Sequence, residues 1–362
     1  MLDNLIIELS AVFAVALVTN LVTIIWFAHS TSKSIKRNDI KAVQASHVTP
    51  VARIGGLSIM VALIIAAVPF FETTNTWPKY LLLLLSSVPV FVIGFCEDLG
   101  FFSSPRVRLL AAIFSGAIFV ALFEQWLPRT GIPGLDLAMQ WVPIGIGFSL
   151  FLASGISHAF NLIDGLNGLS GFIAFGVSLS LAVISHQMGL TEHRNVLFIL
   201  SSAIAGFLIF NFPFGKIFLG DGGAYVIGHI LVWMAISILC EAPNITPLAM
   251  LLIFFYPMAD TLLAITRRVY LGTPISHPDR LHFHQLAMRG IEIVILGRKR
   301  RGIANPLATA LILPFAFTPM IVGVLLVLDR DKAILALLLF SALFLITYKI
   351  SMLLVLRFKS FL

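Results

Sequence analysis

Five short segments of this 362-residue chain gather acidic, amide, histidine and glycine residues at close spacing. The first is His47-Val-Thr-Pro-Val-Ala-Arg53-Ile-Gly55-Gly56, and the second opens Cys96-Glu97-Asp98-Leu99. The third is His158-Ala-Phe-Asn161-Leu-Ile-Asp164-Gly165-Leu-Asn167-Gly168. The fourth is Asn211-Phe-Pro213-Phe-Gly-Lys216-Ile-Phe-Leu-Gly220-Asp221-Gly222-Gly223, and the fifth contains His277-Pro-Asp279-Arg280-Leu-His282-Phe-His284. Carboxylates with an Asn carboxamide suit a hard cation such as Mg²⁺, which prefers oxygen and bridges substrate phosphates. Arginine, lysine and histidine suit the remaining phosphate oxygens. Glycine-rich turns let backbone amides approach a phosphate closely. These residue types predict a metal-dependent enzyme acting on a phosphorylated substrate.

The elements that carry these segments must cross a membrane. Hydrophobic residues make up 59% of the chain and charged residues only 11%, against about 45–50% and about 25% in a soluble domain. A mean hydropathy of +1.01 excludes a soluble globular enzyme, a disordered chain and a nucleic-acid module, despite the net charge of +7. A spanning helix needs roughly 20 apolar residues. Eleven stretches qualify, near 5–28, 53–71, 80–96, 109–127, 141–159, 168–186, 196–213, 223–240, 247–265, 306–328 and 333–355. The expected fold is therefore all-α, a polytopic integral membrane helix bundle of about 11 transmembrane helices forming a single domain over 1–362, with no internal repeat and no soluble domain.

Charge fixes the expected threading. Nineteen of the 24 lysines and arginines fall in one set of loops and termini and five in the other, which by the positive-inside rule places the first set in the cytoplasm. The N-terminus is then outside and the C-terminus cytoplasmic. All five polar segments fall in the cytoplasmic set, in loops near 29–53, 97–108, 158–168, 211–223 and 266–305. Polar groups at membrane depth are retained mainly for function or pairing, so this one-sidedness predicts a catalytic mouth facing the cytoplasm. The Arg298–Arg301 run reads as an interfacial anchor. Cys96 and Cys240 fall at opposite faces, so no disulfide is implied.

With Asn161-Leu-Ile-Asp-Gly-Leu-Asn-Gly-Leu, Phe218-Leu-Gly-Asp-Gly-Gly, the acidic pair and the His-x-His motif in this order, the chain resembles the polyprenyl-phosphate N-acetylhexosamine-1-phosphate transferases. This is the WecA/TagO/MraY group, also called glycosyl transferase family 4. The resemblance runs from about His47 to His284. It implies transfer of a sugar-1-phosphate from a UDP-sugar to undecaprenyl phosphate in the bacterial inner membrane, with release of UMP. It further implies Mg²⁺, with Mn²⁺ as a substitute, held by Asp221 and Asn161, and Asp98 as general base beside Glu97. Asn167, with Asp164 nearby, matches a uracil-contacting position; His282 and His284 match a motif contacting phosphate or sugar; Arg53 with Gly55-Gly56 matches the first loop's contribution. Direct attack by the lipid phosphate and a two-step path through an enzyme-bound phosphoryl group both stand as mechanisms. A homodimer is implied by the resemblance alone.

The chain departs from the pattern at three points. Glu97 replaces the first Asp of an Asp-Asp pair, His158 stands where Asn is usual, and Phe283 separates two histidines that are contiguous in the peptidoglycan-precursor branch. The last point favours an N-acetylhexosamine donor, including 6-deoxy variants used to begin O-antigen-like glycans, over UDP-MurNAc-pentapeptide. Pro257-Met-Ala-Asp260-Thr261 followed by Arg267-Arg268 resembles the ninth-span signature of the amino-sugar branch; Asp260 itself reads as a structural or supporting acid.

Each residue also has a plainer reading. Asp221 can cap a loop, Asn161 can close a helix end, Asp164 and Asn167 can form Asx turns, and His282 and His284 can be interfacial. Glu97 can simply be solvated at the boundary. A transporter or flippase is the rival class; it would place acids at mid-depth in repeated halves, and Asp260 is the only acid so placed. An inactive scaffold on the same fold is the third reading, motivated by Glu97 and His158.

Overall fold

The computed structural model describes residues 2–29, 51–67, 77–101, 104–273, 281–296 and 300–359. His47, His277, Asp279 and Arg280 lie outside them. The described residues form helices α1 (Leu2–His29), α2 (Gly55–Ala66), α3 (Trp77–Asp98), α4 (Pro105–Phe123), α5 (Pro133–Met139), α6 (Val142–Ile163) and α7 (Leu169–Gln187). These are followed by α8 (Thr191–Asn211), α9 (Gly220–Glu241), α10 (Pro247–Ile253), α11 (Phe255–Tyr270), α12 (Phe283–Ile291), α13 (Arg301–Leu325) and α14 (Arg330–Lys359). The only β-type pairing among them is a parallel bridge between Ala52 and Ile217. A bundle of helices satisfies its backbone within each segment, which a bilayer demands.

Each of the eleven expected stretches contains a helix, but two are not simple spans. Among the described residues nine helices are long and apolar enough to cross a membrane. The stretch expected at 247–265 is broken into α10 and α11, bent by 83°. The stretch expected at 53–71 appears as the 12-residue α2, with residues 68–76 outside those described. Hydropathy registers apolar length and is blind to a bend, so both looked like ordinary spans.

The bundle is organised around α9. Every residue from Gly220 to Leu239 is buried, as a helix apolar on all sides must be when other helices enclose it. It packs on α2, α3, α4, α6 and α7. Glycine makes two of these contacts close: a Cβ at Gly56 would collide with the Gly223 backbone, and one at Gly94 would sit 2.6 Å from the Gly222 Cα. Small residues at such crossings let helix backbones approach in a membrane. In α3, Pro89 interrupts the ladder, and the Val90 N–H donates to Ser115 Oγ of α4 at 3.0 Å.

Segments grouped by charge also meet in space. Arg53, Glu97, Arg108, Asp164 and Asp221 gather at the start of α9. Near its other end, Arg129 donates to the carbonyls of Leu239, Ala242 and Ile245. Lys79 pairs with Glu192 at 3.0 Å. Cys96 and Cys240 are both free.

Candidate active site

The first turn of α9 is the centre of the polar end. Gly220 reaches it with φ +79°, a left-handed conformation that glycine alone adopts freely, and a Cβ there would strike the Arg53 carbonyl. A helix start leaves its first backbone N–H groups without intrahelical partners. Here protein carboxylates take them. Gly220 N–H donates to Asp164, Asp221 N–H to Asp98 Oδ1 at 2.9 Å, and Gly222 N–H to Asp98 Oδ2 at 2.9 Å. The expectation that this glycine turn offers its amides to a phosphate is thus corrected for these three: the helix-end dipole attracts anions, and carboxylates from α3 and the α6–α7 loop are already there.

The Asp221 side chain points the other way, toward cations. Arg108 Nη1 lies 3.3 Å from Asp221 Oδ2 and 3.0 Å from Glu97 Oε1, bridging the two acids. Arg53 Nη2 lies 3.6 Å from Asp221 Oδ1. Four of the expected residues, Arg53, Glu97, Asp98 and Asp221, therefore form one connected group, and Asp164 joins it through Gly220. Burial pushes the Asp164 carboxyl up to about 7; Arg53 opposes the rise and Asp221 adds to it.

Asn161 sits on the same side of α9, one turn further in. Its Nδ2 donates to Tyr225 Oη at 2.9 Å, leaving the carboxamide oxygen available to a cation or substrate. His158 is 4.9 Å from the Tyr225 ring and donates through Nδ1 to the Ser154 carbonyl at 2.9 Å. The α6 helix ends at Ile163, so His158 and Asn161 share a helical face while Asp164 is its C-terminal cap.

Asn167 is held from several sides. Its N–H donates to Asn305 Oδ1 at 2.7 Å, its carbonyl accepts from Thr309 Oγ1 at 2.8 Å, and its Nδ2 donates to the Pro213 carbonyl at 2.9 Å. Next to it, Gly168 N–H donates to Asn211 Oδ1 at 2.6 Å. Only the Asn167 side-chain oxygen is left without a hydrogen bond, and it is buried.

The two histidines lie inside the protein, at 2% and 1% exposure, so their reading as interfacial residues is corrected. Asp260 Oδ2 takes His282 Nδ1 at 2.9 Å and lies 3.7 Å from His284 Nδ1, while Asp260 Oδ1 accepts the Phe283 N–H at 2.8 Å. Burial holds His284 below the ordinary histidine value, against the pull of Asp260.

Two participants, Arg108 and Tyr225, escape the sequence reading. Arg108 was read only as a topological charge, although Pro105-Arg-Val-Arg108 follows the acidic pair directly. Tyr225 lies one turn after Asp221, the spacing that puts two residues on one helix face. Asp260, expected from the sequence to be a structural or supporting acid, takes its partners from a segment beginning 22 residues later.

Residues 80–239 match the sequence model of Glycosyl transferase family 4. The match covers 160 of the chain's 362 residues. Among its relatives is the "Undecaprenyl-phosphate alpha-N-acetylglucosaminyl 1-phosphate transferase" of Escherichia coli (strain K12), 25% identical over 271 residues, which are 73% of this chain and 72% of that one. A "Probable undecaprenyl-phosphate N-acetylglucosaminyl 1-phosphate transferase" of Bacillus subtilis (strain 168) is 26% identical over 290 residues, 80% of this chain and 79% of the other. A "Decaprenyl-phosphate N-acetylglucosaminephosphotransferase" of Mycobacterium tuberculosis (strain CDC 1551 / Oshkosh) is 27% identical over 286 residues, 66% and 65% of the two chains. The region that matches the family model contains the acidic pair, the 161–168 loop and the start of α9, and it stops before Asp260, His282 and His284.

Proposed function

We propose that this protein transfers an N-acetylhexosamine-1-phosphate from a UDP-sugar to undecaprenyl phosphate, releasing UMP, with its active site at the cytoplasmic face of the bacterial inner membrane and its N-terminus outside. The observation that carries this reading is the Asp221 carboxylate, set between Arg53 and Arg108 at the end of a buried helix and backed by Asp98. The match of residues 80–239 to the model of Glycosyl transferase family 4 and the activities named for the relatives support it. Those names all specify N-acetylglucosamine, which favours an N-acetylhexosamine donor over UDP-MurNAc-pentapeptide.

The donor set fits Mg²⁺, with Mn²⁺ as a substitute. Among the described residues no three His, Cys, Asp or Glu side chains gather closely enough to enclose a metal. Asp221 and the Asn161 carboxamide oxygen offer hard oxygens, as suits an ion that shares its shell with water and substrate phosphates. Such an ion neutralises charge on the donor's pyrophosphate. The chain's own residues do the rest. Arg53 and Arg108 supply positive charge for phosphate oxygens, and Asp164, Asn167, His282 and His284 line the segments assigned to the nucleotide and sugar. An oxygen of the lipid phosphate attacks the sugar-bearing phosphorus in line, and the pyrophosphate P–O bond breaks to give UMP. A lipid phosphate is already an anion, so Asp98 and Glu97 need only orient it or carry a residual proton.

The deciding experiment measures UMP release by the purified protein with undecaprenyl phosphate, with and without Mg²⁺, across UDP-GlcNAc, UDP-GalNAc, their 6-deoxy relatives and UDP-MurNAc-pentapeptide. Release that needs both lipid and metal supports the proposal, and the preferred donor names the sugar. Silence across the panel from folded protein sinks it.

A further inference from the structure

Asp260 was singled out by sequence and is not used by the mechanism above. It is 1% exposed, on α11, the second limb of the broken span. Its two oxygens meet three consecutive residues of another segment. Oδ1 accepts the N–H of Phe283, the first residue of α12, and Oδ2 accepts from His282 Nδ1 at 2.9 Å and faces His284 Nδ1 at 3.7 Å. His282, the N-cap residue of α12, makes no side-chain cap of its own. The carboxylate of Asp260 supplies the cap from a different helix.

This arrangement fixes more than the helix start. Accepting from Nδ1 of His282 puts that ring's proton on Nδ1 and leaves Nε2 as a lone pair. The two rings stack with centroids 5.5 Å apart. His282 Nε2 and His284 Nε2 are buried without a hydrogen bond, in a protein where such groups are ordinarily paired. The His284 ring lies against the α6–α7 loop: a Cβ on Gly165 would be 2.6 Å from His284 Nε2. The neighbouring Asp164 in turn takes the Gly220 N–H beside Asp221. Asp260 thus stands at one end of a run of contacts whose other end is the Asp221 corner.

We propose that Asp260 is the positioning residue of the histidine pair, holding His282 as the Nδ1–H tautomer and, with the His282 ring stacked on it, the His284 ring against the α6–α7 loop. The proposal rests on the reading of His282 and His284 as substrate-facing groups. Asp260→Asn is the informative change. It keeps an oxygen for the Phe283 N–H, but its NH₂ group meets His282 Nδ1 and drives the proton to Nε2. A carboxylate holding a histidine tautomer is known to matter far more to turnover than to fold, and removing an outer partner of this kind typically costs 10–100-fold.

The test has two parts on the full-length protein in lipid nanodiscs. Imidazole ¹⁵N spectra, assigned with His282→Ala and His284→Ala, should show the Nδ1–H tautomer at His282 in the wild type and Nε2–H in Asp260→Asn. UMP release should fall about 50-fold in kcat with the melting temperature within about 3 °C of wild type, and Asp260→Asn/His282→Ala should be no slower than His282→Ala alone. Asp260→Glu should recover part of the rate. An Nε2–H tautomer at His282 in the wild type overturns the proposal, and so do losses that multiply in the double variant. If the wild type releases no UMP, the proposed activity fails, while the nitrogen spectrum still decides the Asp260–His282 pairing.

Discussion

Asp98, the last residue of α3, accepts the backbone N–H groups of Asp221 and Gly222 at 2.9 Å each. A side chain expected to act on the lipid phosphate is therefore also the cap of the helix that carries the candidate metal ligand. Hydrogen bonds to a charged acceptor are worth roughly 1.5–3 kcal/mol. Asp98→Ala should lower stability by about 3 kcal/mol, whereas Asp221→Asn, whose side chain caps nothing in α9, should change it little. Thermal unfolding of the two variants in detergent checks this; equal melting temperatures would refute the cap's role.

Activity should rank the residues differently. Asp221→Asn should reduce Mg²⁺-dependent UMP release by at least about 100-fold. Lys332→Ala, an exposed residue paired with Asp329 at 2.7 Å, should leave the rate within about twofold. Comparable losses in two well-folded variants would contradict the assignment of the site.

Asp164 gives a pH signature. Its folded value of about 7 lies above the ordinary carboxylate value near 4, so between these the folded state binds the extra proton. Stability from this group is present below pH 4, falls as pH rises toward 7, and levels off above. Asp164→Asn removes that slope. Its melting temperature relative to wild type should rise by about 2 °C or more from pH 5 to pH 8, and a difference constant across that range would show that the group does not titrate there.

Tyr225 anchors Asn161 through one hydrogen bond of 2.9 Å. Tyr225→Phe keeps the ring beside His158 and loses only the hydroxyl. The Mg²⁺ concentration for half-maximal rate should rise about tenfold, with melting unchanged. An unaltered metal requirement would remove Asn161 from the set of ligands.

Gly220 tolerates no side chain. Alanine there meets a left-handed φ of +79° together with the Arg53 carbonyl and an Asp98 oxygen 2.6 Å away, and the left-handed conformation alone costs about 1–2 kcal/mol. Gly220→Ala should yield little folded protein, while Gly272→Ala, whose φ of +65° meets no neighbour, should fold at near-normal yield in a membrane-expression assay.

Much of this protein is legible in its sequence because membrane helices announce themselves by length. The spans and their polar end could be read from runs of apolar residues and the placement of charge, and the grouping of Arg53, Glu97, Asp98 and Asp221 from the resemblance that their motifs carry. The bend at Phe254 could not, since the residues of α10 and α11 taken together pass as one apolar span. Arg108 was hidden because the same residue type serves as a topology signal and as an ion-pair partner. The capping by Asp98 and the histidine clamp by Asp260 join residues 123 and 22 positions apart. Spacing rules within a helix reach three or four residues, so pairs of this kind emerge only when the helices are packed.

The enclosure of α9 decides which parts of the protein can feel the bilayer. Helices α1 and α14 carry many exposed apolar side chains, from Ile6 to Trp26 and from Leu335 to Leu354, and they meet a change of membrane thickness by tilting or by moving lipid. A core helix walled in by protein has no lipid to answer to. Asp221 is therefore carried at a depth set by the bundle, and the two substrates, one arriving from water and one sliding within the lipid, must bring their phosphates to a fixed height.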